Sequence, residues 1–133
     1  MKNNRKVVSM KLEHINITVP DAKAHAAVLV TLFDWHVRWQ GMALDDGFTV
    51  HVGTDDGYLA LYSPPWELTG IERRYHQRAG MNHIGVVVDD IEATEARVKA
   101  AGFTTHSHAD YEPGRRFYFD GPDDVEYEVV SYA

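Results

Sequence analysis

The sequence predicts an α+β fold: two tandem βαβββ modules forming a cupped mixed sheet, with helices on its outer face. Three observations carry this. The phrase Leu12-Glu13-His14-Ile15-Asn16-Ile17-Thr18-Val19 returns as Met81-Asn82-His83-Ile84-Gly85-Val86-Val87-Val88, with a histidine in the same slot 69 residues later. Each phrase runs into aspartate and then a stretch of helical apolar spacing. The repeat also holds at its far end, where Tyr58-Leu59-Ala60-Leu61-Tyr62 aligns with Glu126-Tyr127-Glu128-Val129-Val130, one residue having been gained or lost between the anchors.

The elements follow in order. Alternation marks a first strand around residues 13–19, ended by Pro20-Asp21, with Asp21 placed to cap a helix over 22–33. Ala26, Leu29, Val30 and Phe33 share one helical face. Trp35 to Trp39 alternates as a strand, Asp45-Asp46-Gly47 turns, and 48–52 is the next strand. Asp55-Asp56-Gly57 is a hairpin turn into a strand over 58–62. Ser63-Pro64-Pro65 opens a connector over 63–80, with a helical turn expected around Ile71 to His76. The order then repeats. A strand spans 82–88, Asp89-Asp90 caps a helix over about 91–101, and Gly102 ends it. Strands over 103–107, 115–120 and 125–131 complete the chain, the last two joined by Pro122-Asp123-Asp124. Module one therefore covers about 11–62 and module two about 81–132, within one domain over 1–133.

Composition narrows the function. With 133 residues the chain can bury roughly two-thirds of its unfolded surface. It has no cysteine, which excludes disulfides, thiolate ligands and a cysteine nucleophile. The net charge of -7 repels phosphate backbones and anionic lipid, so nucleic acid and membrane are not expected partners. No apolar run approaches the ~20 residues of a membrane span. Lys2, Arg5 and Lys6 precede no apolar signal core and read as a loose tail. The expected location is the cytoplasm.

Period-two alternation assigns the faces. The isoleucines and Val19 of strand one pack on the helix, leaving His14, Asn16 and Thr18 on the other side. The same logic puts His83 opposite Ile84, Val86 and Val88. Leu59, Leu61, Phe117, Phe119, Tyr127 and Val129 pack, while Tyr58, Ala60, Tyr62, Arg116, Tyr118, Glu126 and Glu128 look outward with the histidines. His51 alternates with Val50 and Val52. The face away from the helices is thus polar, aromatic and ionisable. Two imidazoles and a carboxylate on facing strands suit Fe(II), Mn(II), Zn(II), Co(II) or Ni(II).

The phrases at 12–21 and 82–90, and Phe-Tyr-Phe-Asp-Gly-Pro-Asp-Asp-Val-Glu-Tyr-Glu-Val-Val at 117–130, resemble the vicinal oxygen chelate superfamily (glyoxalase, bleomycin resistance, dioxygenase). The resemblance covers about Leu12 to Tyr132. It implies a divalent metal held on the first and last strands of each module, in slots that fall on His14, Ala60, His83 and Glu128. Glyoxalase I carries glutamate where this chain has Ala60, and alanine neither binds metal nor moves a proton. The remaining set, His14, His83 and Glu128, is similar to that of extradiol dioxygenases and fosfomycin-resistance thiol transferases. Both carry a tyrosine ten residues before the glutamate, as Tyr118 stands here.

Other slots depart. The fosfomycin enzymes have threonine where Asn16 stands and a lysine near His108. The acid/base histidine of the extradiol enzymes is replaced by Asp56-Gly57-Tyr58, which leaves His51 to take that part, with His106 or His108 near a second family histidine. The resemblance therefore implies a dioxygenase-like enzyme with Fe(II) or Mn(II), or with Zn, Ni or Co. Tyr118, His51 and His108 are its catalytic candidates. Asn16, Trp39, Tyr58, Tyr62 and Arg116 are its substrate-binding candidates. A lyase, isomerase or thiol transferase on the same frame, or a non-catalytic drug-binding cup, is the alternative. A small-molecule substrate and a homodimer, in which modules from two chains complete each site, are the expected partners.

Overall fold

The computed structural model describes residues 10–70, 72, 74–112 and 114–133. The expected tail residues Lys2, Arg5 and Lys6, and Ile71 of the expected helical turn, lie outside them. The order is β1 (His14–Thr18), α1 (Ala22–Phe33), β2 (His36–Met42), β3 (Phe48–Gly53), β4 (Tyr58–Ser63), then β5 (Ile84–Val87), α2 (Ile91–Ala100), β6 (Thr105–Tyr111), β7 (Gly114–Asp120) and β8 (Glu126–Ser131). Single 3-10 turns occupy Leu44–Asp46, Arg74–His76 and Pro122–Asp124. The sheets are β1-β4-β3-β2 and β5-β8-β7-β6, each with one parallel and two antiparallel pairings. This is the α+β arrangement of two βαβββ modules that the sequence predicts.

Local chemistry sets the boundaries. Asp21 accepts from Ala24 N at 3.0 Å and Asp90 from Ala93 N at 3.0 Å, so each helix opens on a side-chain cap of about 1 kcal/mol. The chain leaves α1 through Asp34 in the left-handed region and leaves α2 by way of Gly102 at φ +96°. Gly114 starts β7 where a Cβ would stand 2.3 Å from the Ser131 carbonyl oxygen, so only glycine lets β7 and β8 close there.

One apolar core joins the modules. Ala26, Leu29 and Leu32 of α1 pack with Val50, Val52, Leu59 and Leu61 of sheet one, and with Phe117, Phe119, Tyr127 and Val129 of sheet two. Phe33 reaches Phe119 and Tyr127 with ring centroids 6.2 and 5.8 Å apart. Buried His25 donates from Nδ1 to Asp123 at 2.8 Å and accepts at Nε2 from the Tyr127 hydroxyl at 3.1 Å. Arg97 of α2 donates to the Leu32 carbonyl at 3.2 Å. Helix α1 therefore lies beneath both sheets, and the polar face of each sheet turns away from this shared core.

One packing expectation changes. Ile15 was expected against the helix but is 39 % exposed. It sits on β1, an edge strand with a neighbour on one side only. Val87, on the His83 side of β5 by the same alternation, is 65 % exposed. The expected strand over 103–107 instead runs from 105 to 111.

Candidate functional site

The parallel pairings show how the duplicated histidines are placed. Asn16 faces Ala60 across β1 and β4, and Gly85 faces Glu128 across β5 and β8. Ala60 and Glu128 thus occupy equivalent positions, and Tyr58 is equivalent to Glu126. The asymmetry read from the sequence is real in three dimensions.

On sheet two, His83 Nε2 lies 3.1 Å from Glu128 Oε1 and its Nδ1 lies 4.0 Å from Glu126. Arg116 Nη1 donates to the other Glu128 oxygen at 2.8 Å. Tyr118, paired with Glu128 across β7 and β8, sets its ring edge-on to His83 at 5.4 Å. Burial and the nearby Glu128 charge push the Tyr118 phenol above its usual range, so it stays protonated and able to donate. Glu126 accepts from the Tyr75 hydroxyl at 2.5 Å, and burial followed by that bond pushes Tyr75 up to about 12. The Tyr111 ring lies 4.9 Å from the guanidinium carbon of Arg116.

Sheet one carries a row of rings. Trp39 packs on His51 at 5.3 Å, His51 stacks on Tyr58 at 4.6 Å, and Tyr58 stacks on His14 at 4.9 Å. His14 donates from Nδ1 to Glu13 at 2.8 Å, which leaves Nε2 outward. The Glu13 carboxyl is held low, chiefly by this bond. Desolvation, then the neighbouring His14 and Arg38, hold His51 below the usual imidazole range, which favours its neutral form. Asn16 stands on the same strand as His14. Tyr62 turns to the rim, donating to the Leu44 carbonyl at 2.7 Å.

A β-bulge decides which side chains join these faces. His106 pairs with Tyr118 and Ala109 with Arg116, so two residues of β6 face Phe117 alone, and Ser107 takes a left-handed φ of 56°. Simple alternation would put His108 beside His106. The bulge turns it to the helix side instead, where it stacks on Phe117 at 6.0 Å and donates to Glu95 of α2 at 2.7 Å. His108 therefore lies on the helix side, away from Tyr118, and His106 is the histidine that stacks on Tyr118, at 6.2 Å. Strand β2 has a matching irregularity between Val37 and Trp39, which brings Trp39 opposite His51.

The structure thus groups His83, Glu128, Tyr118 and Arg116 on sheet two, and His14, His51, Tyr58 and Trp39 on sheet one. Among the described residues no three His, Asp or Glu side chains gather where one ion could be held. His83 with Glu128 supplies two donors suited to a divalent ion, and His14 has its Nε2 free on the other sheet. Alternation missed Glu13, because β1 begins one residue later. It also missed Tyr75, which comes from the connector, where no periodicity applies. No helix among the described residues is long and apolar enough to cross a membrane.

The fold recurs in solved structures. A glyoxylase/bleomycin resistance protein/dioxygenase domain from Frankia sp. EAN1pec is 17% identical, with 93% of this chain and 98% of that chain covered and a TM-score of 0.77. A fosfomycin resistance protein from Mesorhizobium loti is 20% identical, with 92% of each chain covered and a TM-score of 0.69. The trypanothione-dependent glyoxalase I of Leishmania major is 16% identical, with 93% of this chain and 88% of that chain covered and a TM-score of 0.75. No curated protein matches the chain in sequence. A family model does match, over residues 13–119, so the chain belongs to the Glyoxalase/Bleomycin resistance protein/Dioxygenase superfamily.

Proposed function

We propose that the protein is a divalent-metal-dependent enzyme acting on two neighbouring oxygens of a small substrate, with extradiol-dioxygenase-like chemistry the best match. The carrying observation is the approach of His83 Nε2 to Glu128 Oε1 at 3.1 Å on an open sheet face. His14, oriented by Glu13, supports it as the third ligand. Bound by these three residues, Fe(II) or Mn(II), or Zn, Ni or Co, would supply Lewis acidity and, as iron, redox chemistry.

Since the two faces turn away from the common core, the three ligands belong to two copies of the chain. His14 of one copy meets His83 and Glu128 of another in a homodimer. Free edges on β1 and β5, flanked by Leu12 at 81 % and Val87 at 65 % exposure, support such a contact. Within the site, Tyr118 donates a hydrogen bond to the substrate oxygen that gains charge. Neutral His51 takes up a proton, and Asn16, Trp39, Tyr58 and Tyr62 line the substrate side. Arg116 balances the Glu128 charge.

Metal analysis tests this. Purified protein is expected to hold near-stoichiometric transition metal that disappears in His83→Ala. Mixing His14→Ala with Glu128→Ala chains is expected to restore part of the metal uptake, because one site of each mixed dimer is intact. A protein that takes up no Fe, Mn, Zn or Ni would end the proposal, and failure of the mixture to recover would end its two-copy form. The ring row Trp39–His51–Tyr58–His14 favours one second reading, a non-catalytic cup that stacks aromatic compounds. In that case Glu128→Gln leaves ligand affinity unchanged.

A further inference from the structure

Four buried side-chain nitrogens lack a hydrogen-bond partner among the described residues: His83 Nδ1, His106 Nε2, and Arg116 Nε and Nη2. Native folds leave few such groups, because an unpaired buried donor loses its water without replacement. All four belong to the polar face of sheet two, where the His83 and His106 rings both pack on Tyr118. The orphans are concentrated where a ligand would sit.

Arg116 is the informative member. Its Nη1 donates to Glu128. Nε and Nη2 form the other edge of the guanidinium, two parallel N–H donors with the spacing of a carboxylate's oxygens. Among the described residues nothing takes them. Glu126, on the same face of β8, is held by Tyr75 at 2.5 Å. The Tyr111 ring, itself 60 % exposed, lies against the face of the guanidinium, 4.9 Å from its carbon. The bulge at Ser107 keeps Tyr111 on this face, and the Gly114 close approach fixes the strand that carries Arg116.

We propose that the free edge of Arg116 is an anion seat. The ligand of this face carries a carboxylate, or another oxyanion with two oxygens on one atom, which accepts from Nε and Nη2 beside the Tyr111 ring. This rests on the reading of the face as a small-molecule site and names its substrate class: an acid that also bears two neighbouring oxygens. Arg116 then bridges two carboxylates, Glu128 on one edge and the ligand on the other.

The test uses the full-length protein, stripped of metal, with 3,4-dihydroxybenzoate, its neutral amide 3,4-dihydroxybenzamide, and phenylphosphonate as probes. The acid is expected to move the Arg116 Nε–H resonance and to bind about tenfold more tightly than the amide. Arg116→Lys keeps the charge but not the fork and is expected to lose about tenfold for the acid alone. Tyr111→Ala is expected to bind the acid at least as well as the parent chain. Preference for phenylphosphonate over the carboxylate assigns the seat to a tetrahedral head group. Equal affinity for acid and amide, an acid preference that survives Arg116→Gln, or an Nε–H resonance unmoved at about 10 mM acid would each overturn the proposal. Metal uptake on His83 and Glu128 without acid preference removes the seat and leaves the functional reading. Acid preference without metal uptake does the reverse.

Discussion

Replacing Glu128 with alanine strips Arg116 of its carboxylate partner. The pair is made at 2.8 Å between side chains that are 15 % and 13 % exposed, and the other two guanidinium nitrogens are already unpaired. Removing one member of a buried ion pair costs about 3–5 kcal/mol, and the remaining exposure lets some water in, so about 2–3 kcal/mol is expected for Glu128→Ala. In a chain of 133 residues that lowers Tm by about 7–11 °C. Removing both partners together, as Glu128→Leu with Arg116→Met, is expected to return stability to within about 1 kcal/mol of the parent, because no lone charge remains. Urea and thermal unfolding of chelator-treated protein, at one fixed protein concentration, measure both. A Glu128→Ala chain within about 0.5 kcal/mol of the parent would mean the pair behaves as a surface contact, and the argument for a dry Arg116 fork would fall with it.

Three further outcomes are expected. Tyr127→Phe leaves His25 Nε2 without its donor in a fully buried setting and should cost about 1–3 kcal/mol by urea unfolding. Tyr127 is raised well above the usual tyrosine range by burial, then by Asp123, so its contribution is intact below about pH 10 and fades above it; the variant should show a shallower alkaline loss, and an unchanged slope would refute this. His51 is shifted downward, so its imidazole should titrate by NMR below about 6.5, and any step that needs it neutral should persist into mildly acidic solution; a higher value refutes the placement. Gly114→Ala puts a methyl 2.3 Å from the Ser131 carbonyl oxygen and should cost about 1–3 kcal/mol, read as a lower urea midpoint.

Much of this was legible in the chain because it is written twice. The repeated phrase aligned His14 with His83, and following it to its end aligned Ala60 with Glu128; the parallel registers of β1 with β4 and β5 with β8 put Ala60 and Glu128 at equivalent positions of the two sheets. Alternation found Leu59, Leu61, Phe117, Phe119, Tyr127 and Val129 because interior strands are covered on the helix side. It failed where its premise fails. Ile15 lies on an edge, Glu13 precedes its strand, and His108 follows an extra residue. Tyr75 and the His25–Asp123–Tyr127 link depend on contacts between distant segments, which no local pattern records.

The bulge in β6, matched by the irregularity in β2, has a consequence for how such a chain changes over time. Each module carries one surplus residue in the strand that follows its helix, yet Asn16 still meets Ala60 as Gly85 meets Glu128. A strand able to store one surplus residue at a single point keeps its phase on either side. An inserted codon then becomes a local edit rather than an inversion of every side chain beyond it. Ancestral halves can drift in length, and one can lose a carboxylate that the other retains, while both sheets continue to aim their remaining chemistry in the same direction.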